Sequence, residues 1–251
     1  MRIVISGTYS TGKTTLTDAL AYLTGIRRTH ARTMREILPD ALPGKVLEEC
    51  SLAELMELCL WRFKERVAAE QACGSPFISD GSCLHEWTYA RARLDTGVNP
   101  SHGPVTRSLL HATQASARRT YRRVFDRLIH AVEAHAKSAY DEVIHLPIEF
   151  PLRDDGHRPV SEPFRRLTEQ MLLDTLRRLR IPVHVVSGTV ESRLAQIINR
   201  YGWSPTRSVA EALALAQANA LRVEREALEK HAAWRRDLNW PRRALRQLSR
   251  F

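Results

Sequence analysis

The chain has no cysteine pair at C-x-x-C spacing and no histidine cluster at zinc-ligand spacing; Cys50, Cys59, Cys73 and Cys83 stand apart along 251 residues. That sets aside a zinc module or a redox dithiol and leaves reduced thiols, mostly packing in helices. No stretch approaches the roughly 18 apolar residues of a membrane span. No basic-then-apolar leader opens the sequence. A cytoplasmic protein with no membrane partner is expected. Internal repeats, low-complexity tracts, RNA-binding signatures and helicase-like motifs are also missing.

Apolar residues make up 43% of the chain, enough for a sizeable core, and the net charge is +10. A basic surface attracts phosphate, nucleic acid or anionic lipid. Scattered arginines fit a solvated surface around an anionic nucleotide site equally well.

Ile3 to Ile5 is a short apolar run of the kind that forms a buried parallel strand. Lys13 to Leu23 has helical apolar spacing and ends at Thr24-Gly25. Further helices are expected at Leu52 to Ala72, Thr106 to Ala139, Phe164 to Leu179 and Glu191 to Tyr201. Phe77 to Ser79, Val143 to Leu146 and Ile181 to Val186 read as strands, with loops over 97–105 and 150–163. Strands alternating with helices predict an α/β fold with a mostly parallel sheet, whose ligands sit at the carboxyl ends of the strands.

Gly7-Thr8-Tyr9-Ser10-Thr11-Gly12-Lys13-Thr14 matches G-x-x-x-x-G-K-[ST] in full, with a strand before it and a helix after it. Such a loop turns several backbone N–H groups toward one anion, and the helix adds its positive dipole end. Lys13 supplies charge to the β- and γ-phosphates, and the Thr14 hydroxyl is a hard oxygen for Mg²⁺. The motif predicts a P-loop NTPase that binds ATP, or GTP, with Mg²⁺. Tyr9 is a packing residue or a lip over the site.

Asp80 directly ends an apolar strand and precedes Gly81. A carboxylate there can hold the metal's water shell, accept a proton from an attacking hydroxyl, or do both. Asp-Gly is also a common turn pair. Glu149, three residues past Leu146, is a second candidate acid.

Ile5-Ser6-Gly7 with Gly12-Lys13-Thr14-Thr15 resembles the nucleoside and nucleotide kinase branch of P-loop proteins. Leu146 to Pro159 and the later Ser187-Gly188-Thr189 with Ser192-Arg193 resemble a subfamily related to the ribosylnicotinamide kinase domain of bifunctional NAD regulators. The resemblance covers about residues 1–203. It implies a lid over the phosphates carrying Arg153 and Arg158, with Arg165 and Arg166 next in line, and base contacts at Gly188 and Thr189. Those loops also read as a solvated surface and a plain turn. Many nucleoside kinases follow the strand-end acid with Arg, whereas Gly81 follows Asp80 here, so an arginine gripping the acceptor must come from elsewhere.

The acceptor pocket is expected between the phosphate loop, Asp80 and His85, Glu86, Trp87, Arg91 and Arg93, with Arg32 and Arg35 as further candidates. Trp87 is a stacking surface or core. Arg118, Arg119, Arg122, Arg123 and Arg127 place like charges at i,i+4, which is costly unless an anion or carboxylate faces them. The expected division is a kinase-like domain over 1–203 and a helical extension over 204–251. In the extension, Ala210, Leu213, Ala214, Leu221, Leu228 and Ala232 form an apolar stripe, with Trp234 and Trp240 as anchors, for packing on the core or for a homodimer. Three functions remain open: a kinase acting on a small-molecule phosphoryl acceptor, an NTP-dependent switch, and a nucleic-acid-directed ATPase. The small molecule is the expected partner, and nucleic acid is not.

Overall fold

A computed structural model describes residues 1–43, 45, 47, 50–96, 115–152 and 161–237. Five parallel strands make one sheet in the order β2-β3-β1-β4-β5. They are β1 (Arg2–Ser6), β2 (Arg28–Thr29), β3 (Phe77–Asp80), β4 (Glu142–His145) and β5 (Val183–Val185). The helices are α1 (Lys13–Thr24), α2 (Met34–Ala41), α3 (Leu52–Cys73), α4 (Cys83–Thr96), α5 (Ala115–Ala139), α6 (Glu162–Leu179), α7 (Val190–Tyr201) and α8 (Val209–Asp237). The expected parallel α/β sheet flanked by helices is what forms.

Alternation along β1 divides the core. Ile3 and Ile5 face α1, α7 and α8, where they meet Leu16, Leu20 and Leu194. Val4 faces the other way, onto Val132 and Ala136 of α5 and Leu172 and Leu176 of α6. A third cluster joins α2, α3 and α4 through Ile37, Leu55, Leu58 and Leu94. Leu16, Leu20 and Leu23 are almost fully buried, each contributing about 1.5–3 kcal/mol. The register sets Ile5 beside Asp80 and Ser6 beside His145. The carboxyl ends of three strands therefore converge just where the phosphate loop leaves β1.

No element was expected between Gly25 and Leu52, yet β2 and α2 lie there. β2 is two residues long, too short to show alternation. α2 carries an internal Pro39, which disguises it as a loop, while Thr33 and Glu36 close a capping box at its start. Of the expected basic helix, the stretch 106–114 lies outside the described residues.

The tail is helical, but its buried stripe is not the expected one. Ala212 and Ala216 are fully buried against α1 with Leu213 packed beside them, whereas Ala210, Ala214, Leu221, Leu228 and Ala232 are exposed. Alanines allow α8 to approach α1 closely. The expected stripe points elsewhere, and Leu213 alone belongs to both. The Trp234 side chain and Trp240 lie outside the described residues.

Candidate active site

The phosphate loop spans Gly7 to Thr14 between β1 and α1. Gly7 has φ of 147°, and a Cβ there would sit 2.6 Å from Thr11 Oγ1 and 2.8 Å from the Leu146 carbonyl. Any side chain would push the loop off β4. No side chain caps the start of α1, and no acidic residue stands in its first turn. Its leading N–H groups and dipole are thus presented to an anion. Thr11 Oγ1 donates to the Thr8 carbonyl at 3.0 Å and Lys13 Nζ to the same carbonyl at 2.6 Å. The Thr8 hydroxyl is buried with no hydrogen-bond partner. Ser10 adopts a left-handed φ of 58°. Thr15 is half-buried at the start of α1.

Thr14 Oγ1 donates to Asp80 Oδ2 at 2.7 Å. Residues 66 positions apart are thus brought together. Among the described residues no three His, Cys, Asp or Glu side chains form a metal cage. A Mg²⁺ sharing its shell with triphosphate oxygens and water needs only one or two protein oxygens, and Thr14 and Asp80 are two such oxygens. The residues present therefore fit a magnesium nucleotide.

Behind Asp80 lies a cavity of about 170 Å³, lined by Tyr9, Lys13, Thr14, Asp80, His85, Glu86, Tyr89 and Arg93 and by two arginines that the sequence reading missed, Arg62 and Arg66. Both arginines reach Glu86: Arg62 Nη2 at 2.8 Å and Arg66 Nη2 at 2.9 Å. Burial pushes the Glu86 carboxyl up, but the two guanidinium groups outweigh it and hold it below the usual range. Arg66 also donates to the Gly81 carbonyl at 3.1 Å, and its Nη2 lies 3.4 Å from where a Cβ on residue 81 would stand. Gly81 leaves room for the Arg66 guanidinium supplied from α3. Tyr9 stacks on Tyr89 with centroids 4.7 Å apart, and both lie beside Phe164. Tyr9 thus belongs to an aromatic wall of the cavity.

Beneath the loop runs a buried polar chain that sequence reasoning also missed. Ser82 N donates to His85 Nδ1 at 2.9 Å and Gly7 N to Nε2 at 3.4 Å, and Nε2 also faces Ser6 Oγ at 3.4 Å. Ser6 Oγ lies 3.2 Å from His145 Nδ1, and His145 Nε2 lies 3.4 Å from Glu169. Burial, then the charge of Lys13, lowers both imidazoles, His85 well below its ordinary value and His145 to about 4. Burial raises Glu169. Members of this chain are scattered over four elements, and only the place of His145 at the end of an apolar strand could have hinted at it.

On the other side of the loop, Arg193 donates to the Thr11 carbonyl at 2.7 Å and to Glu149 at 2.5 Å. Glu149 also accepts from Gly188 N at 3.1 Å. Arg193 and that amide hold the Glu149 carboxyl below its ordinary value. Glu149 is therefore tied to the Gly188–Thr189 turn and the back of the loop. Thr189 caps α7 by accepting from Ser192 N. Arg153 and Arg158 lie outside the described residues. Arg165 is fully buried with Nε and Nη2 unpartnered, while its Nη1 donates to the Phe150 carbonyl at 2.8 Å and to Glu162 at 3.2 Å. A buried cation with two unmet donors suits an anion.

Other candidates are engaged elsewhere. Trp87 donates to the Phe125 carbonyl and packs between two core clusters. Arg91 pairs with Asp126 and Asp95, and Arg32 with Glu65 and Asp40. The Arg35 side chain lies outside the described ones. On α5, Arg118 donates to the Leu94 and Asp95 carbonyls at the end of α4, and Arg122 pairs with Asp95. Those contacts offset the like charges, while Arg119, Arg123 and Arg127 are exposed.

A second cavity, about 290 Å³, shares Thr14, Thr33 and Asp80 with the first. Asp18, Arg28, Glu36, Asn219 and Glu224 also line it.

A family model described as an AAA domain matches residues 2–193. The chain belongs to this AAA-domain family of P-loop proteins. No curated protein matches the sequence. Among solved structures, deoxyadenosine kinase from M. mycoides is similar to this AAA domain at a TM-score of 0.55 with bound dATP and 0.52 with bound dCTP. Each is 15% identical, and the match covers 80% of this chain and 99% of that one. The NadR protein in complex with NR matches at a TM-score of 0.49 and 13% identity, over 82% of this chain and 52% of that one. At such identities the likeness is one of fold, a P-loop kinase fold. No helix among the described residues is long and apolar enough to cross a membrane.

Proposed function

We propose that this AAA domain is an ATP-dependent kinase that moves the γ-phosphoryl group to a hydroxyl of a small, nucleoside-like metabolite. The observation that carries this reading is the 2.7 Å contact between Thr14 and Asp80 at the mouth of an arginine- and aromatic-lined cavity. When bound, magnesium nucleotide supplies the transferable phosphoryl group and neutralises its charge. The loop amides and Lys13 orient the phosphates. Asp80 takes the proton of an acceptor hydroxyl entering from the cavity. Lys13 and Arg165, with Arg153 and Arg158 of the lid, stabilise the charge that develops on transfer. Gly188, Thr189 and the backbone around them face the base, an arrangement that accepts ATP and leaves GTP open.

A switch needs no acceptor cavity beside its acid, and the cavity favours the kinase. The test incubates the protein with Mg·ATP and a pool of nucleosides and hydroxylated metabolites, with mass spectrometry reading the gain of one phosphate. One acceptor phosphorylated by the wild type and not by Lys13→Ala is the expected result. ATP hydrolysis with no acceptor modified would favour the switch instead.

A further inference from the structure

The tail helix reaches the nucleotide end of the site. Thr206 N and Oγ1 both donate to the Leu23 carbonyl, at 2.7 and 3.1 Å, fixing the start of the tail to the far end of α1. Ala212 and Ala216 bury along the middle. Asn219 Nδ2 then donates to Asp18 Oδ2 at 2.7 Å. Asp18 stands four residues beyond Thr14, on the same face of α1, and both line the second cavity with Asp80. Arg222 Nη2 donates to Asn219 Oδ1 at 2.7 Å, which fixes the amide with its nitrogen toward Asp18. The Asp18 carboxylate is 1% exposed, and its other oxygen pairs with Arg28, the first residue of β2.

We infer that Asn219 is a positioning residue for the magnesium–nucleotide end of the site, acting through Asp18 on the first turn of α1. Two consequences follow from the geometry. Asn219 and Arg28 occupy both oxygens of Asp18, so this carboxylate does not compete with Asp80 for a cation in the cavity they share. The pair also joins α8 to α1 one turn beyond Thr14, whose hydroxyl must hold its place beside Asp80. Displacements of about 1 Å from a productive geometry cost about a hundredfold in rate, so a contact one turn away can matter without touching the nucleotide.

The inference builds on the proposed nucleotide chemistry but not on the acceptor, and its first readout needs none. Calorimetry would measure ATP affinity with and without Mg²⁺ in the full chain. Wild-type protein that binds no ATP would undo the proposed function itself. Given binding, Asn219→Ala is expected to lower the Mg²⁺-dependent gain in affinity about fivefold while metal-free binding stays within about twofold. Asn219→Gln keeps the amide one methylene further out and should show a smaller loss in the same direction; it serves as well if the alanine variant does not fold. In an Asp18→Ala background, Asn219→Ala should change nothing further, as residues acting through one contact are non-additive. An unchanged Mg²⁺ gain in both Asn219 variants, or fully additive effects with Asp18→Ala, would overturn the inference.

Discussion

Two cavities meet at Thr14 and Asp80, and they carry opposite charge. The smaller is lined by Lys13, Arg62, Arg66 and Arg93 against Asp80 and Glu86. The larger is lined by Asp18, Glu36, Asp80 and Glu224 against Arg28. The difference shows how the chain separates two tasks around one acid. Cations and aromatic rings gather where a transferring phosphoryl group and a flat acceptor would sit. Carboxylates gather on the α8 side, where Asp18 is held by Arg28 and Asn219 and Glu36 lies 3.4 Å from His30. A net charge of +10 does not reveal this division.

The basic side is broken most completely at Lys13. Lys13→Ala is expected to lower turnover at least about 10³-fold in a steady-state assay, since its loss removes the charge that the loop brings to the β- and γ-phosphates. Glu86→Ala comes next. It leaves Arg62 and Arg66 without their shared carboxylate, and urea unfolding should show a loss of about 3–5 kcal/mol, as for other broken buried pairs. His145→Gln sharpens the comparison through pH. With His145 held at about 4 in the fold against an ordinary 6.5, the unfolded chain binds the extra proton between those values. Stability therefore falls as pH falls through that window, by about 3 kcal/mol from this group. His85 shifts the same way and steepens the fall. Urea midpoints across the window should show a shallower slope in His145→Gln. The smallest effect is expected for Gly81→Ala. Its φ of 80° and the nearby Arg66 nitrogen predict a cost of about 1–2 kcal/mol, and a melting curve no lower than wild type would show that residue 81 is not shaped around Arg66.

The parts legible in the sequence are those written in consecutive residues. The phosphate loop is a contiguous motif, and β1, β3 and β4 are apolar runs that end at Ser6, Asp80 and His145. What stayed hidden depends on spacing across the fold. Arg62 and Arg66 sit at i,i+4 on α3 and look like a solvated face until Glu86 arrives from α4. The histidine chain joins Ser6, His85 and His145, which the sequence separates by about 60 residues or more. β2 was too short, and α2 was masked by Pro39. In the tail, packing against α1 selects Ala212 and Ala216, a register that apolar spacing does not distinguish from the alanines and leucines beside them.

The central claim is that phosphoryl transfer takes place at the Thr14–Asp80 pair between the two cavities. Asp80→Asn tests it most directly, with ATP binding by calorimetry and product formation by mass spectrometry measured on the same preparation. Nucleotide affinity within about threefold of wild type and a transfer rate lower by about 10² or more are the predicted results. Transfer at nearly the wild-type rate would contradict the claim and move the chemistry to another acid.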